Sequence, residues 1–421
     1  MELHPILEPG DTPSPLMWYV LSPKGEPPSM RVGHTCTFLP GKDNLQGKVI
    51  IVGGANPSGA FNETHVLNLE FYEWDEPEWN GLRARYEHSA YVPESQPGKL
   101  YVFGGAEKDV NVNDVQVLDT SLGTWSVVSA SGKPPSVRTC HSMTSIGDKL
   151  YIFSGGQAGA EPVGDRKVHV FDASTQTWSQ PNIKGNSPKP RHGHVMVAIG
   201  TKIYIHGGMA GTTFYDDVHE LDTVALSWRQ VKCKGNVPCN RTAHTGVALN
   251  KKLYIFGGMN REGALDDMYV LDTGNFKWSK VDISGPPPPS RLDHCMCVIE
   301  LKKTSREPGD SVTPHSESLD QIKDTEKTGD DGGTVENDSC AESKKEENDT
   351  GDEGACGGAS EGGSEAPSAE AGAAAAGASS NDATKSAESN AEQRTYQLIL
   401  IHGGMDTEGE IFDDTLVLYV Q

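Results

Sequence analysis

Repetition at a period of about 50 residues constrains this chain more than any other feature, because a unit repeated at that spacing has to bury its apolar faces against copies of itself. An apolar run ending in two glycines occurs six times: VIIVGG at Gly53 and Gly54, LYVFGG at Gly104 and Gly105, LYIFSGG at Gly155 and Gly156, IYIHGG at Gly207 and Gly208, LYIFGG at Gly257 and Gly258, and LILIHGG at Gly403 and Gly404. The first five pairs lie 51, 51, 52 and 50 residues apart. Arg-x-x-His also occurs six times, from Arg31, Arg85, Arg138, Arg191, Arg241 and Arg291 to His34, His88, His141, His194, His244 and His294. A third signature, an alternating strand such as VQVLD or MYVLD followed by a tryptophan, is complete five times, at Trp74, Trp125, Trp178, Trp228 and Trp278.

Each period reads as four short strands: one after Arg-x-x-His, one ending at the glycines, one alternating and one around the tryptophan. Such an array predicts an all-β fold, a six-bladed β-propeller. The sixth tryptophan strand stands at the other end of the chain, where Trp18 in WYVL precedes the first Arg-x-x-His and has no blade of its own. After Gly404 there is one further strand, TLVLYV, around Leu416 to Val420, so the last blade lacks a fourth strand. The N-terminal Trp18 strand is expected to complete it, closing the ring and removing exposed edges. The glycines should take positive φ and permit close backbone approach. The six tryptophans should fill the gaps between blades as core residues, where an indole N–H can reach a partner. Connectors such as GEPPSMR, GKPPSVR and GPPPPSR read as turns between blades; NGLRAR, ending at Arg85, departs from the pattern in lacking proline.

The formal charge of −23 argues against nucleic acid as a partner, since a backbone binder needs a basic stripe. That charge is concentrated: residues 301–394 hold 22 Asp and Glu against 9 Lys and Arg, a net of −13, which leaves −10 for the rest. This segment is rich in Glu, Asp, Ser, Gly and Ala and cannot bury enough apolar surface to offset its ordering entropy. The expected organisation is propeller over 1–300, a disordered acidic insertion over 301–394, and the remaining strands of blade 6 over 395–421. The insertion falls between the first and second strands of that blade, on the face away from Arg-x-x-His. Its composition suits a solubilising tether; serines beside acids, such as Ser316, Ser343 and Ser364, raise a docking or regulated role. The eight cysteines form no CxxC pair and no regular framework, which suits a reducing cytosol. Neither a signal peptide nor an apolar run of spanning length is expected in the N-terminal segment or beyond.

Asp216 with Asp217, Asp266 with Asp267, and Asp413 with Asp414 suggest paired carboxylates, but repetition in several blades points to a structural turn role instead. The same argument makes the repeated Arg and His structural. His192 and His194 lie two apart without further ligands, so no metal or other cofactor is expected. There is no GxxxxGK[ST] and no HExxH, and no catalytic residue is assigned.

The four-strand period, six diglycines and six Arg-x-x-His motifs resemble the kelch-repeat superfamily over nearly all of the repetitive length. The LEPGD start, RVGHTC, VIIVGGANP, SPKPRHGHVM, FYDDVH, the late acidic interruption and GGMDTEGEIFDD are similar to a branch of that superfamily whose members are Rab effectors. The resemblance implies a non-enzymatic scaffold that binds the GTP-bound form of a late-endosomal Rab GTPase. It further implies a role in returning mannose-6-phosphate receptors to the trans-Golgi network, and a cytoplasmic protein held on late endosomes through partners. A monomer is expected. Alternatives are a substrate-recognition propeller of a ubiquitin ligase or cytoskeletal complex, and a metal-dependent kelch enzyme; with so short a lead before Trp18, the dimerising domain of ligase adaptors is expected to come, if at all, from a separate partner. If the repeats are scaffold, recognition should rest on what varies between blades. Those positions are Tyr86, Glu87, His192, Leu292 and Asp293 inside the motifs, and Asn56, Lys108, Phe214, Arg261, Glu262 and Glu408 in the loops after the glycines.

Overall fold

Six antiparallel sheets, each built on four strands, account for the repeats in a computed structural model, described for residues 4–108, 110–140, 142–158, 161–304 and 393–420. Blade 2 shows the pattern: Ser89–Tyr91, Lys99–Phe103, Val115–Asp119 and Thr124–Val127 follow one another from the central channel outward. Blade 6 joins both ends of the chain. Its strands are Cys295–Thr304, Gln393–His402, Thr415–Tyr419 and, outermost, Trp18–Val20, which pairs in the register Trp18↔Leu418, Tyr19↔Val417 and Val20↔Leu416. The expected six-bladed propeller and its closure by the N-terminal strand are both present. Among the described residues no helix is long and apolar enough to cross a membrane.

Successive side chains of a strand point to opposite faces, so a blade between two others buries both. Six apolar clusters result, one per junction. At the blade 1–2 junction Ile50, Val52 and Val66 meet Leu100, Val102, Leu118 and Trp125. All six repeat tryptophans are buried, as expected. Their N–H groups are not all partnered: those of Trp18 and Trp125 find no hydrogen bond, because the indole is spent on packing area.

The diglycine is a junction device. The N–H of Gly54 donates to the Arg85 carbonyl of the next blade (2.9 Å), and the same bond runs from Gly105, Gly155, Gly208 and Gly258 to Arg138, Arg191, Arg241 and Arg291. The sixth, from Gly404 to Arg31 at 3.0 Å, closes the circle. Gly105 shows why a side chain is excluded: φ is +90°, and a Cβ would lie 2.5 Å from the Tyr86 carbonyl oxygen. In blade 3 the pair is shifted by one. Ser154, at φ 56°, stands where the other blades have the first glycine, and Gly155 rather than Gly156 makes the junction bond.

The connectors are more than turns. Ser131–Gly132 pairs parallel with the outer strand Thr177–Ser179 of the blade it leads into, and Lys184–Gly185 and Lys234–Gly235 do the same. Lys24 and Asn80 make equivalent single bridges to Glu73 and Thr124, so the proline-free connector docks like the others. Outer edges are thereby covered.

The first hairpin of blade 6 runs to the pair Thr304↔Gln393. The insertion limits of 301 and 394 are therefore too wide, since residues 301–304 and 393–394 belong to the blade. What was expected of the remaining insertion, its serines included, lies outside the described residues.

Candidate partner-binding face

Each motif arginine is fully buried and spends its guanidinium inside its own blade. Nε of Arg191 donates to the Lys189 carbonyl and Nη1 to the Gly207 carbonyl, while Asp217 takes both Nη1 and Nη2. The corresponding carboxylates are Glu63, Asp114, Asp165, Asp267 and Asp414 for Arg31, Arg85, Arg138, Arg241 and Arg291. Asp217, Asp267 and Asp414 are thus ion partners and not turn residues. Burial raises the Asp217 carboxyl, but the bonds from His219 and Arg191 outweigh that and hold it well below the usual carboxylate range. The reading of isolated Asp pairs missed a fuller signal: an acid directly precedes the third strand in five blades and stands three residues before it in blade 3.

The described motif histidines, His34, His88, His194, His244 and His294, are buried against the preceding blade. His294 Nε2 meets Thr245 Oγ1 at 2.6 Å, and His244 Nε2 meets His206 Nδ1 at 3.0 Å. His141 lies outside the described residues.

These anchors fix the loops that follow the glycines. The N–H of Phe61 donates to the Gly54 carbonyl, and Val112, Val163, Tyr215, Leu265 and Phe412 repeat the bond. Phe61, Tyr215 and Phe412 also stack on Arg31, Arg191 and Arg291 at 4.3, 4.2 and 4.5 Å. What remains free is a ring of hairpin tips. Lys108, Arg261, Glu262 and Glu408 are exposed there, with Asn56 and Phe214 half-buried beside them. Arg261 reaches the Thr212 carbonyl of the neighbouring tip at 2.8 Å, and the Tyr86 hydroxyl donates to the Lys108 carbonyl at 3.1 Å. His192 is half-buried and pairs with Met209 through its backbone.

Three expected positions are not on that rim. Leu292 is buried behind its own hairpin, so it cannot serve as a surface anchor. Glu87 and Asp293 turn inward at positive φ and join Gly33, Cys140, Gly193 and Ala243 around the channel mouth. Backbone bonds run round this mouth from Glu87 to Gly33, Gly33 to Asp293, Asp293 to Ala243, Ala243 to Gly193, and Gly193 to Cys140. Burial, with Glu87 adding its charge, pushes the Asp293 carboxyl up to about 7. Among the described residues one set, Glu63, His65 and Glu76, brings three metal-ligand atoms together. Glu63 is already committed to Arg31 and His65.

A family model described as the KLHDC2/KLHL20/DRC7 Kelch-repeats domain matches residues 43–258 and 211–304. The chain belongs to the kelch-repeat family. Among kelch relatives, the "Rab9 effector protein with kelch motifs" of Homo sapiens is 51% identical over 220 residues, covering 52% of this chain and 59% of the relative. Its Danio rerio counterpart is 50% identical over 230 residues, covering 52% and 66%. "Kelch domain-containing protein 3" of Rattus norvegicus is 32% identical over 193 residues, 43% of this chain and 48% of that one. The chain therefore matches the first relatives over less than two thirds of their length. In kelch terms, the face bearing Arg-x-x-His is a rigid base for variable tips, and its ionisable repeats are consumed in holding that base.

Proposed function

We propose that this kelch propeller is a non-enzymatic protein-binding scaffold acting as effector of a Rab GTPase. In this reading it engages the GTP-bound form of a late-endosomal Rab and assists return of mannose-6-phosphate receptors from endosomes to the trans-Golgi network. It works as a cytoplasmic monomer, peripheral on late endosome membranes through its partners. The observation that carries the reading is the 51% identity over 220 residues to a protein whose name states that it is a Rab9 effector. The tip ring supports it physically: loops pinned at their bases present Phe214 and Arg261, an aromatic and an arginine, the side-chain types that anchor interfaces.

Pull-down with a late-endosomal Rab loaded with GTP or GDP tests the proposal. Retention of the GTP form alone is expected, with binding at least about tenfold weaker in F214A and R261A. Equal or absent binding in the two nucleotide states would sink the effector reading. Selective binding that survives both substitutions would move the interface off the tip ring.

A further inference from the structure

The junction between blades 6 and 1 differs in chemistry from the other five. The second residue after the motif histidine is Cys36 in blade 1, but Ala90, Met143, Met196, Gly246 and Met296 in the others. On the facing inner strand of blade 6 the first and third residues are Cys295 and Cys297, where the other blades carry only Ser, Thr, Val or Tyr. Alternation turns Cys36 back towards blade 6 and turns Cys295 and Cys297 forward towards blade 1. All three meet in one apolar cluster, and the Cys36 thiol interacts with both others. Among the described residues, thiols face each other across a junction only here, where the first and last blades meet.

Cys36 is also reachable. It lines two adjoining channel cavities of about 260 and 430 Å³, the first shared with Cys295 and the second with Cys297. Cys295 and Cys297 themselves are buried. Of the three residues Cys36 is the least buried, so it is the one most open to a small oxidant in the channel, with two candidate partners beside it.

We propose that Cys36 is a peroxide-oxidisable site that forms a disulfide with Cys295 or Cys297 and so ties the closing junction covalently. The Cys36 sulfur attacks hydrogen peroxide, the O–O bond breaks, and one water leaves as a sulfenic acid forms. The thiol of Cys295 or Cys297 then attacks that sulfur; the S–S bond forms, the S–O bond breaks, and a second water leaves. Two thiols are oxidised by two electrons and one peroxide is reduced to two waters. Burial is the leading cause pushing the Cys36 thiol up, so reaction is slow at neutral pH and quickens as pH rises. The bond closes a loop spanning 259 or 261 residues, taken as 295 − 36 and 297 − 36, which restrains the unfolded chain strongly.

The full chain is treated with hydrogen peroxide overnight at mildly alkaline pH and mapped without reduction by mass spectrometry, with exposed Cys239 as internal control. Cys239 should be oxidised first. A linked peptide joining Cys36 to the segment holding Cys295 and Cys297, lighter by two hydrogens and released by dithiothreitol, is the expected result. The linked protein should melt roughly 5 °C above the reduced form. Cys36 remaining a free thiol or ending as a sulfinic acid once Cys239 is consumed, a link confined to Cys295 and Cys297, or a linked chain with an unchanged melting midpoint would each overturn the proposal.

Discussion

His206 ends the second strand of blade 4, and His402 the second strand of blade 6, where blades 2, 3 and 5 carry Phe103, Phe153 and Phe256. Packing tolerates either ring at this place. His206 stands edge-on to His244 with ring centroids 5.1 Å apart, much as Phe256 does to His294 at 5.5 Å. Charge does not. Burial drives both His206 and His402 down to about 3, and drives the motif histidines His34, His244 and His294 well below their usual value. The unfolded chain takes these protons near 6.5, whereas the fold takes them only at much lower pH, about 3 for His206 and His402. Stability is therefore complete above about 6.5 and falls as pH drops towards 3. For His206 alone the loss at pH 5 is about 2 kcal/mol. H206F takes from the buried His244 Nε2 its His206 partner, so in urea unfolding it should fall about 1–3 kcal/mol below the wild type near neutral pH, and that deficit should shrink by about 2 kcal/mol at pH 5. Identical acid sensitivity in the two proteins would show that His206 is not held neutral by burial.

At the scale of elements, the fold was largely legible because six copies of one unit average out local ambiguity. Trp18 without a blade and a last blade without a tryptophan named each other. The slip at Ser154 was not legible, since LYIFSGG offers two glycines and only the junction bond tells which of them carries it. The acids before each third strand were hidden by Glu63 and by the two extra residues after Asp165. For the candidate face, the six loop positions lie at or beside the tips. Leu292, Glu87 and Asp293 do not, because adjacent motif residues in a left-handed turn point in different directions, which letters alone do not specify. The connector role was also missed: proline drew attention to the turn, while the glycine carries the docking. Gly132 sits at φ +81° with no room for a Cβ against the Trp178 carbonyl, whereas Gly285 sits at φ +97° in open space. Both should lose about 1 kcal/mol to backbone strain on substitution by alanine. G132A should lose at least about a further 1 kcal/mol, as its connector is forced off the outer strand. Equal losses in chemical denaturation would mean that this edge pairing contributes nothing.

At the largest scale, the propeller behaves as a one-dimensional stack bent into a circle, so each junction is supported by two neighbours only if the ring is shut. Closure is concentrated in few residues. Trp18 is almost fully buried against Phe256, three residues of its strand cover Leu416, Val417 and Leu418, and the Gly404 to Arg31 bond completes the circle at the channel side. On the opposite side Gln46 of blade 1 clasps the backbone of Lys302, donating to its carbonyl at 2.6 Å and accepting from its N–H at 2.8 Å. These contacts do not act alike when removed. Truncation by W18A empties a cavity and should cost about 3–5 kcal/mol while leaving the strand in place, so the elution position on size exclusion should not change. Deleting residues 1–21 instead uncovers the whole edge of Thr415–Tyr419, whose unpaired backbone groups are a template for another chain. That variant should melt at a lower temperature and elute from size exclusion at a size that grows with concentration. If it elutes at the size of the intact protein at every concentration and melts like it, the other five junctions hold the circle without its latch, and the N-terminal strand is an ornament of the last blade.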